Sequence, residues 1–86
     1  METPETRVAV IAIIAENNES ADKINALLHD YGKYIIGRMG VPYRTKGINI
    51  ISIAIDAPQD DINSLAGKIG RIGGVTAKTV YSGISK

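Results

Sequence analysis

The apolar pattern of the chain begins with a continuous β-branched stretch, RVAVIAIIA, at residues 7–15. Apolar side chains fill consecutive positions there, which predicts a central strand covered on both faces. A second stretch of this kind, INIISIAID, covers residues 48–56 and predicts a similar strand. Residues 34–41 and 75–82 predict two further strands, and the glycines of the first of these suit an edge strand.

The segment after the first predicted strand has apolar side chains at the spacing of a helix. They are Ala21, Ile24, Leu27, Leu28 and Tyr31. Asn17, Asn18 and Ser20 suit the start of this helix, because their short polar side chains accept hydrogen bonds from unpaired backbone N–H groups. Gly32 fits the position that follows its last turn.

A second helix is predicted between the third and fourth strands. Pro58 fits its first turn, and Asp60 and Asp61 follow at the end where the helix dipole favours anions. Its apolar face consists of Ile62, Leu65, Ala66 and Ile69. Gly70 and the pair at residues 73–74 end it.

The order of elements is therefore β-α-β-β-α-β. It predicts an α+β, ferredoxin-like βαββαβ sandwich with a four-stranded antiparallel sheet and two helices on one face. In that topology the first and third strands are central. We predict a single domain at residues 7–82, a flexible N-terminal tail at residues 1–6 and a C-terminal tail at residues 83–86.

Apolar side chains occupy both parities of the first and third strands. A monomer would expose the sheet face that the helices leave free, and that face should then be polar. We therefore predict a homo-oligomer, either a dimer or a tetramer. The alternative is that isoleucine only follows its β-propensity. With Asp at Ile53 or at Ile50, one change should unfold the domain and the other should dissociate it, and the sequence does not say which.

Composition excludes several classes of site. The 86 residues include no cysteine and a single histidine, His29. Without cysteine there is no disulfide, thiolate zinc site, iron–sulfur cluster or thiol nucleophile. We predict no cofactor and no metal site within a subunit, and a metal site shared between subunits through His29 stays open.

The charge and hydropathy of the chain limit the classes of partner that it is expected to bind. The net charge is +1, with both signs interspersed, which disfavours direct binding to nucleic acid. No apolar run is long enough to span a bilayer, and the polar, acidic first six residues do not suit a signal peptide. The sequence predicts a cytoplasmic protein without a membrane partner.

The stretch GRMGVPYRTKG at residues 37–47 joins the second and third strands. We predict a hairpin tip shaped by its glycines and Pro42, because no helix N-terminus follows and the spacing is not that of a P-loop. Arg38, Arg44 and Lys46 form a candidate secondary surface for an anion or a partner.

The loop after the first central strand is the other candidate ligand site. Glu16, Asn17 and Asn18 can hydrogen-bond a polar molecule there, although helix capping alone explains the asparagines. No nucleophile–base pair and no carboxylate dyad appears in the sequence, so a non-enzymatic function is predicted.

Three sequence patterns resemble those of a known family. They are R-x-G-x-P-x-R at residues 38–44, L-x-G-K-x-G at residues 65–70 and G-V-x-x-K-T-V at residues 74–80. Together they resemble the small regulators of the iron-only hydrogenase system, which are similar in fold to ACT domains and to the C-terminal domain of the nickel-responsive repressor. The resemblance implies an ACT-like, oligomeric regulatory or sensing domain. The histidines and cysteine that bind nickel in the repressor are missing here.

The leading hypothesis is a non-enzymatic, oligomeric regulator that binds a small effector or a protein partner. Two alternatives stay open: an enzyme whose active site lies between subunits, and a transcriptional regulator that binds nucleic acid directly.

Overall fold

Six regular elements and one short 3-10 turn follow one another along residues 5–85, the part of the chain that this computed structural model describes. The 3-10 turn at Gly32–Tyr34 joins the first helix to the second strand. The elements are β1 (Arg7–Ala15), α1 (Asn18–Asp30), β2 (Ile35–Tyr43), β3 (Ile48–Ala57), α2 (Gln59–Gly70) and β4 (Val75–Ser85).

The four strands form one antiparallel sheet in the order β2-β3-β1-β4. The predicted ferredoxin-like fold is confirmed, and β1 and β3 are the central strands. Their register places Ile11 opposite Ile53 and Ala15 opposite Asn49. The end of β1 therefore lies beside the start of β3.

One parity of each central strand faces the two helices and is buried. Together with the inner faces of α1 and α2, these side chains form the hydrophobic core. The core residues are Ala9, Ile11, Ile13, Ala15, Ala21, Ile24, Leu28, Ile51, Ile53, Ile55, Ala57, Ile62, Leu65 and Ile69. The β-branched residues pack well on the sheet, and the leucines and isoleucines of the helices recur at the spacing that gives each helix one apolar face.

The structure corrects the predicted hairpin tip. Most of the stretch GRMGVPYRTKG belongs to β2, and the turn is limited to residues 44–47. Pro42 lies within β2 opposite Asn49, so it does not shape the turn. An edge strand tolerates proline because one of its sides has no neighbouring strand that needs its N–H groups. Gly47, with a φ of 67°, supplies the left-handed residue of the turn.

Several boundaries differ from the sequence prediction. β2 covers Ile35–Tyr43 instead of residues 34–41, and β3 ends at Ala57, one residue later than predicted. α1 begins at Asn18, and Asn17, one of the three candidates for its start, is its cap. β4 continues to Ser85 instead of ending at residue 82. The predicted tails fall partly on residues 1–4 and 86, which lie outside the described residues, and the domain boundaries stay a prediction.

Neither described helix has the length and the apolar character that crossing a membrane requires.

Candidate functional site

A cleft of about 440 Å³ opens at the end of the sheet where β1 runs into α1. The β1–α1 loop forms one wall, and the β2–β3 turn with the adjoining strand ends forms the other. The lining residues are Glu16, Asn17, Asn18, Pro42, Tyr43, Arg44, Gly47, Ile48 and Asn49. The antiparallel register of β1 and β3 creates this site, because it carries the β2–β3 turn to the same end of the sheet as the β1–α1 loop.

The β1–α1 loop is fixed by hydrogen bonds to a distant part of the chain. Asn17 caps α1, its Oδ1 accepting from the backbone N–H of Ser20 at 2.8 Å. The Ser20 hydroxyl donates to the carbonyl oxygen of Gly73 at 2.6 Å, and the backbone N–H of Glu16 donates to that of Gly74 at 2.8 Å. The cleft wall is therefore held in place without a ligand.

Gly74 permits this close approach. Its φ is 78°, a backbone angle that residues other than glycine rarely adopt. A Cβ at this position would lie 3.2 Å from Nδ2 of Asn17 and 3.3 Å from Oγ of Ser20. Both the backbone conformation and the limited space around it therefore favour glycine.

The polar groups of the cleft differ in what they already contact. Oδ1 of Asn18 accepts from Nδ2 of Asn49 at 3.3 Å, which links the loop to β3. Among the described residues, the Glu16 carboxylate and the Arg44 guanidinium have no hydrogen bond or ion pair, and both are exposed. An acceptor and a donor of opposite charge thus stand free at the walls of one cleft.

The structure brings four of the six predicted ligand-binding residues together, namely Glu16, Asn17, Asn18 and Arg44. Arg38 lies elsewhere, because its Nη2 donates to Oδ1 of Asn25 on α1 at 2.6 Å and its side chain lines a separate groove of about 210 Å³. Lys46 lies in the β2–β3 turn, exposed and outside the lining of the cleft. The ligand-binding role of all six stays a prediction.

Five lining residues were not among the predicted ligand-binding residues: Pro42, Tyr43, Gly47, Ile48 and Asn49. They lie at the end of β2, in the turn and at the start of β3, and they come near the β1–α1 loop only through strand pairing. The predicted topology already indicated that the start of β3 lies near this loop, because antiparallel central strands place the start of β3 beside the end of β1.

Within residues 5–85, no three histidine or acidic side chains lie close enough together to hold a metal ion. His29 is exposed in the last turn of α1.

The sheet face opposite the helices is a second candidate surface. Within residues 5–85 no other element covers it, and seven of its large apolar side chains are between 36% and 65% exposed. We call it the open sheet face and define it by Val8, Val10, Ile14, Met39, Val41, Tyr43, Ile50 and Val80. Strand pairing makes the surface continuous, because Val10 is paired with Val80, and Ile50 is paired with both Ile14 and Val41.

The sequence of the chain also matches a known protein family. Residues 7–79 match the family model described as "TM1266-like: Iron-only hydrogenase system regulator, putative". The chain belongs to this family. The resemblance inferred from the three sequence patterns is thereby confirmed.

Solved structures agree with the family. An uncharacterized protein from Thermotoga maritima, TM1266, is 33% identical, with a TM-score of 0.85 over 90% of this chain and 98% of that one. The ACT domain of a GTP pyrophosphokinase from Chlorobium tepidum is 20% identical, with a TM-score of 0.74 over 87% of this chain and 99% of that domain. The second likeness shows that the fold is ACT-like. No protein with a curated description is significantly similar to the chain.

Proposed function

We propose that the chain is a non-enzymatic, oligomeric regulatory domain that binds a small effector or a protein partner, and that the cleft beside the β1–α1 loop is the effector site. The observation that carries the proposal is the position of Glu16 and Arg44, whose free charged groups stand in one cleft whose loop wall is already fixed. Membership of a regulator family supports the same function.

The chemistry of the cleft favours a small polar molecule. Its volume, about 440 Å³, falls in the usual range for small-ligand sites. The Arg44 guanidinium donates hydrogen bonds, the Glu16 carboxylate accepts them, and the amides of Asn18 and Asn49 do both. A ligand that carries an anionic group and a hydrogen-bond donor would satisfy both charged residues.

The cleft has little that supports catalysis. Among the residues that line it there is no histidine, serine, threonine or lysine, so no nucleophile is paired with a base. Glu16 is its one carboxylate, and acid–base chemistry by a carboxylate pair needs a second. Recognition therefore suits this site better than turnover.

Self-association would use the open sheet face. Its apolar side chains fit a surface that a second copy covers, as predicted from the two parities of β1 and β3. In the described strands, the charged side chains paired on this face are one cation, Lys78, and one carboxylate, Asp56. The face is therefore neutral overall, which allows it to pack against itself without repulsion between like charges.

A thermal-shift screen of small polar metabolites tests the effector site. A compound present at about 100 times its dissociation constant stabilises the native state by about 2.7 kcal/mol, which raises the Tm of a domain of this size by roughly 10–20 °C. Arg44→Ala should abolish that rise. Lys46→Ala is the matched control, because it removes a cation two residues away that does not line the cleft.

Stabilisation that survives Arg44→Ala would place the effector elsewhere and refute the proposed site. Chemical conversion of the stabilising compound would favour the enzyme alternative. Salt-dependent retention of DNA by the protein alone would favour the nucleic-acid alternative.

A further inference from the structure

A groove runs between the two helices on the side of the domain opposite the open sheet face. Its volume is about 390 Å³. We call it the helix groove and define it by Lys23, Ala26, Leu27, Asp30, Lys68, Arg71 and Ile72. None of these residues belongs to the cleft beside the β1–α1 loop.

The antiparallel arrangement of the helices brings these residues together. The hydroxyls of Tyr31, after α1, and Ser64, in α2, lie 3.1 Å apart, while Ser20 near the start of α1 bonds Gly73 after α2. The C-terminal half of α2 therefore lies beside α1, and Lys68 and Arg71 share a groove with Lys23.

The floor of the helix groove is apolar. Leu27 and Ile72 are half-buried and pack against the hydrophobic core, and Ala26, which also lines the groove, is exposed. A groove with such a floor fits apolar side chains of a peptide better than it fits a compact anion.

The charge of the helix groove differs from that of the rest of the chain. Three cations and one carboxylate, Asp30, give it a net charge of +2. Since the whole chain carries +1, the remaining residues sum to −1. Among the described residues the one ion pair is Lys23 with Glu19 at 3.7 Å, so Lys68 and Arg71 have no carboxylate partner.

Lys68 is held at the groove by an aromatic side chain. Its Nζ donates to the Tyr31 hydroxyl at 3.0 Å and lies 5.2 Å from the centre of the ring. This hydrogen bond lowers the pKa of Tyr31 below its usual value, as expected for a phenol beside a fixed ammonium. The negative end of the α2 dipole also favours Lys68 and Arg71, but it explains neither Lys23 on α1 nor the apolar floor.

We propose that the helix groove docks an acidic amphipathic segment of a partner protein, its apolar side chains on the floor and its carboxylates against Lys23, Lys68 and Arg71. The apolar floor favours a peptide over nucleic acid, whose phosphates would use the cations and leave Leu27 and Ile72 uncovered. The inference rests on the proposed regulatory role of the chain, and it does not depend on the cleft.

Selection from a display library of short random peptides tests the inference without assuming a sequence. We expect the enriched peptides to combine Asp or Glu with apolar residues at helical spacing, and their affinity to fall as salt rises. One enriched peptide, labelled with a fluorophore, is then titrated against variants of the full chain.

The double variant Lys68→Glu with Arg71→Glu should weaken this peptide by at least about tenfold, because it turns two attractions into repulsions. Ala26→Glu, an exposed change to a good helix former, should weaken it as well while leaving the melting temperature unchanged. Lys46→Glu, in the β2–β3 turn, is the matched charge reversal and should have no effect.

Enriched peptides without acidic residues, or equal affinity in all variants, would overturn the inference. Stronger binding of a labelled DNA duplex than of the selected peptide, lost in the double variant, would assign the groove to nucleic acid instead. Loss of effector binding by Arg44→Ala together with normal peptide binding would show that the two sites are separate, so either proposal can fail alone.

Discussion

Two isoleucines of β3 allow the assembly proposal to be tested with a single pair of variants. Ile53 is fully buried between the sheet and the helices. Ile50, three residues earlier and therefore on the other parity, is half-buried on the open sheet face. The structure thus shows which isoleucine faces the helices and which lies on the other sheet face, a point that the sequence left undecided. Ile53→Asp should unfold the domain, and Ile50→Asp should dissociate the oligomer.

The free-energy costs of the two substitutions explain why their outcomes should differ. Removing a buried isoleucine costs about 2–5 kcal/mol, and burying a carboxylate without a partner adds several kcal/mol. The total stability of a domain of this length is about 4–13 kcal/mol, so Ile53→Asp should leave little folded protein. In a monomer the carboxylate of Ile50→Asp reaches solvent. In a dimer it would be buried twice, at about 3 kcal/mol per copy, which raises the dissociation constant by about four orders of magnitude.

Circular dichroism measures folding, and analytical ultracentrifugation measures assembly. The wild type should sediment as a dimer or tetramer at micromolar concentration, and Ile50→Asp should sediment as a folded monomer. Ala26→Asp is the control, because it adds a carboxylate to an exposed helix position away from the sheet. A monomeric wild type, or an Ile50→Asp variant with unchanged assembly, would refute the assignment of the open sheet face.

Three further outcomes are expected. Gly74→Ala should lower the free energy of unfolding by about 1–3 kcal/mol in denaturant titrations, because a Cβ is strained at positive φ and crowds Asn17. Gly40→Val should change it by less than about 0.5 kcal/mol, since Gly40 lies in a strand, has no positive φ, and an added Cβ meets no atom within 4 Å. Lys68→Met should raise the pKa of Tyr31 toward its ordinary value, measured by the phenolate absorbance. Because the pKa of Tyr31 is lowered in the native state, ionisation of Tyr31 stabilises the fold increasingly as pH rises from that pKa to the usual tyrosine value, and the stabilisation is lost as pH falls through the native pKa. This pH dependence of the free energy of unfolding should weaken in Lys68→Met.

The element order and the central strands follow from local patterns. β1 has the predicted bounds, Arg7–Ala15, because its β-branched residues favour an extended strand and the polar residues that follow begin at Glu16. β2 was predicted less well, since Gly37, Gly40 and Pro42 are turn signals in isolation. Pairing with β3 outweighs these local preferences, and the chain turns only at residues 44–47.

The candidate site also combines residues that local sequence patterns indicate with residues that only strand pairing brings together. Glu16, Asn17 and Asn18 could be found from sequence, because a polar loop after a central strand is a local feature. Asn49 is not part of that local pattern, because it reaches the cleft through its register opposite Ala15, and only the predicted strand topology indicated its position. Arg38 and Arg44 both occur in the glycine-rich stretch, and only the structure separates them into different grooves.

The hydrogen bond from Ser20 to Gly73 spans 53 residues of sequence, and it has a consequence for the order in which the protein is made. A ribosome that has released the first half of the chain has already supplied the β1–α1 loop and the β2–β3 turn. The groups that fix the loop, the carbonyl oxygens of Gly73 and Gly74, are synthesised later. The cleft therefore acquires its final shape only after α2 and the two glycines that follow it have been synthesised and have docked, and a shorter nascent chain lacks the bonds that fix the loop.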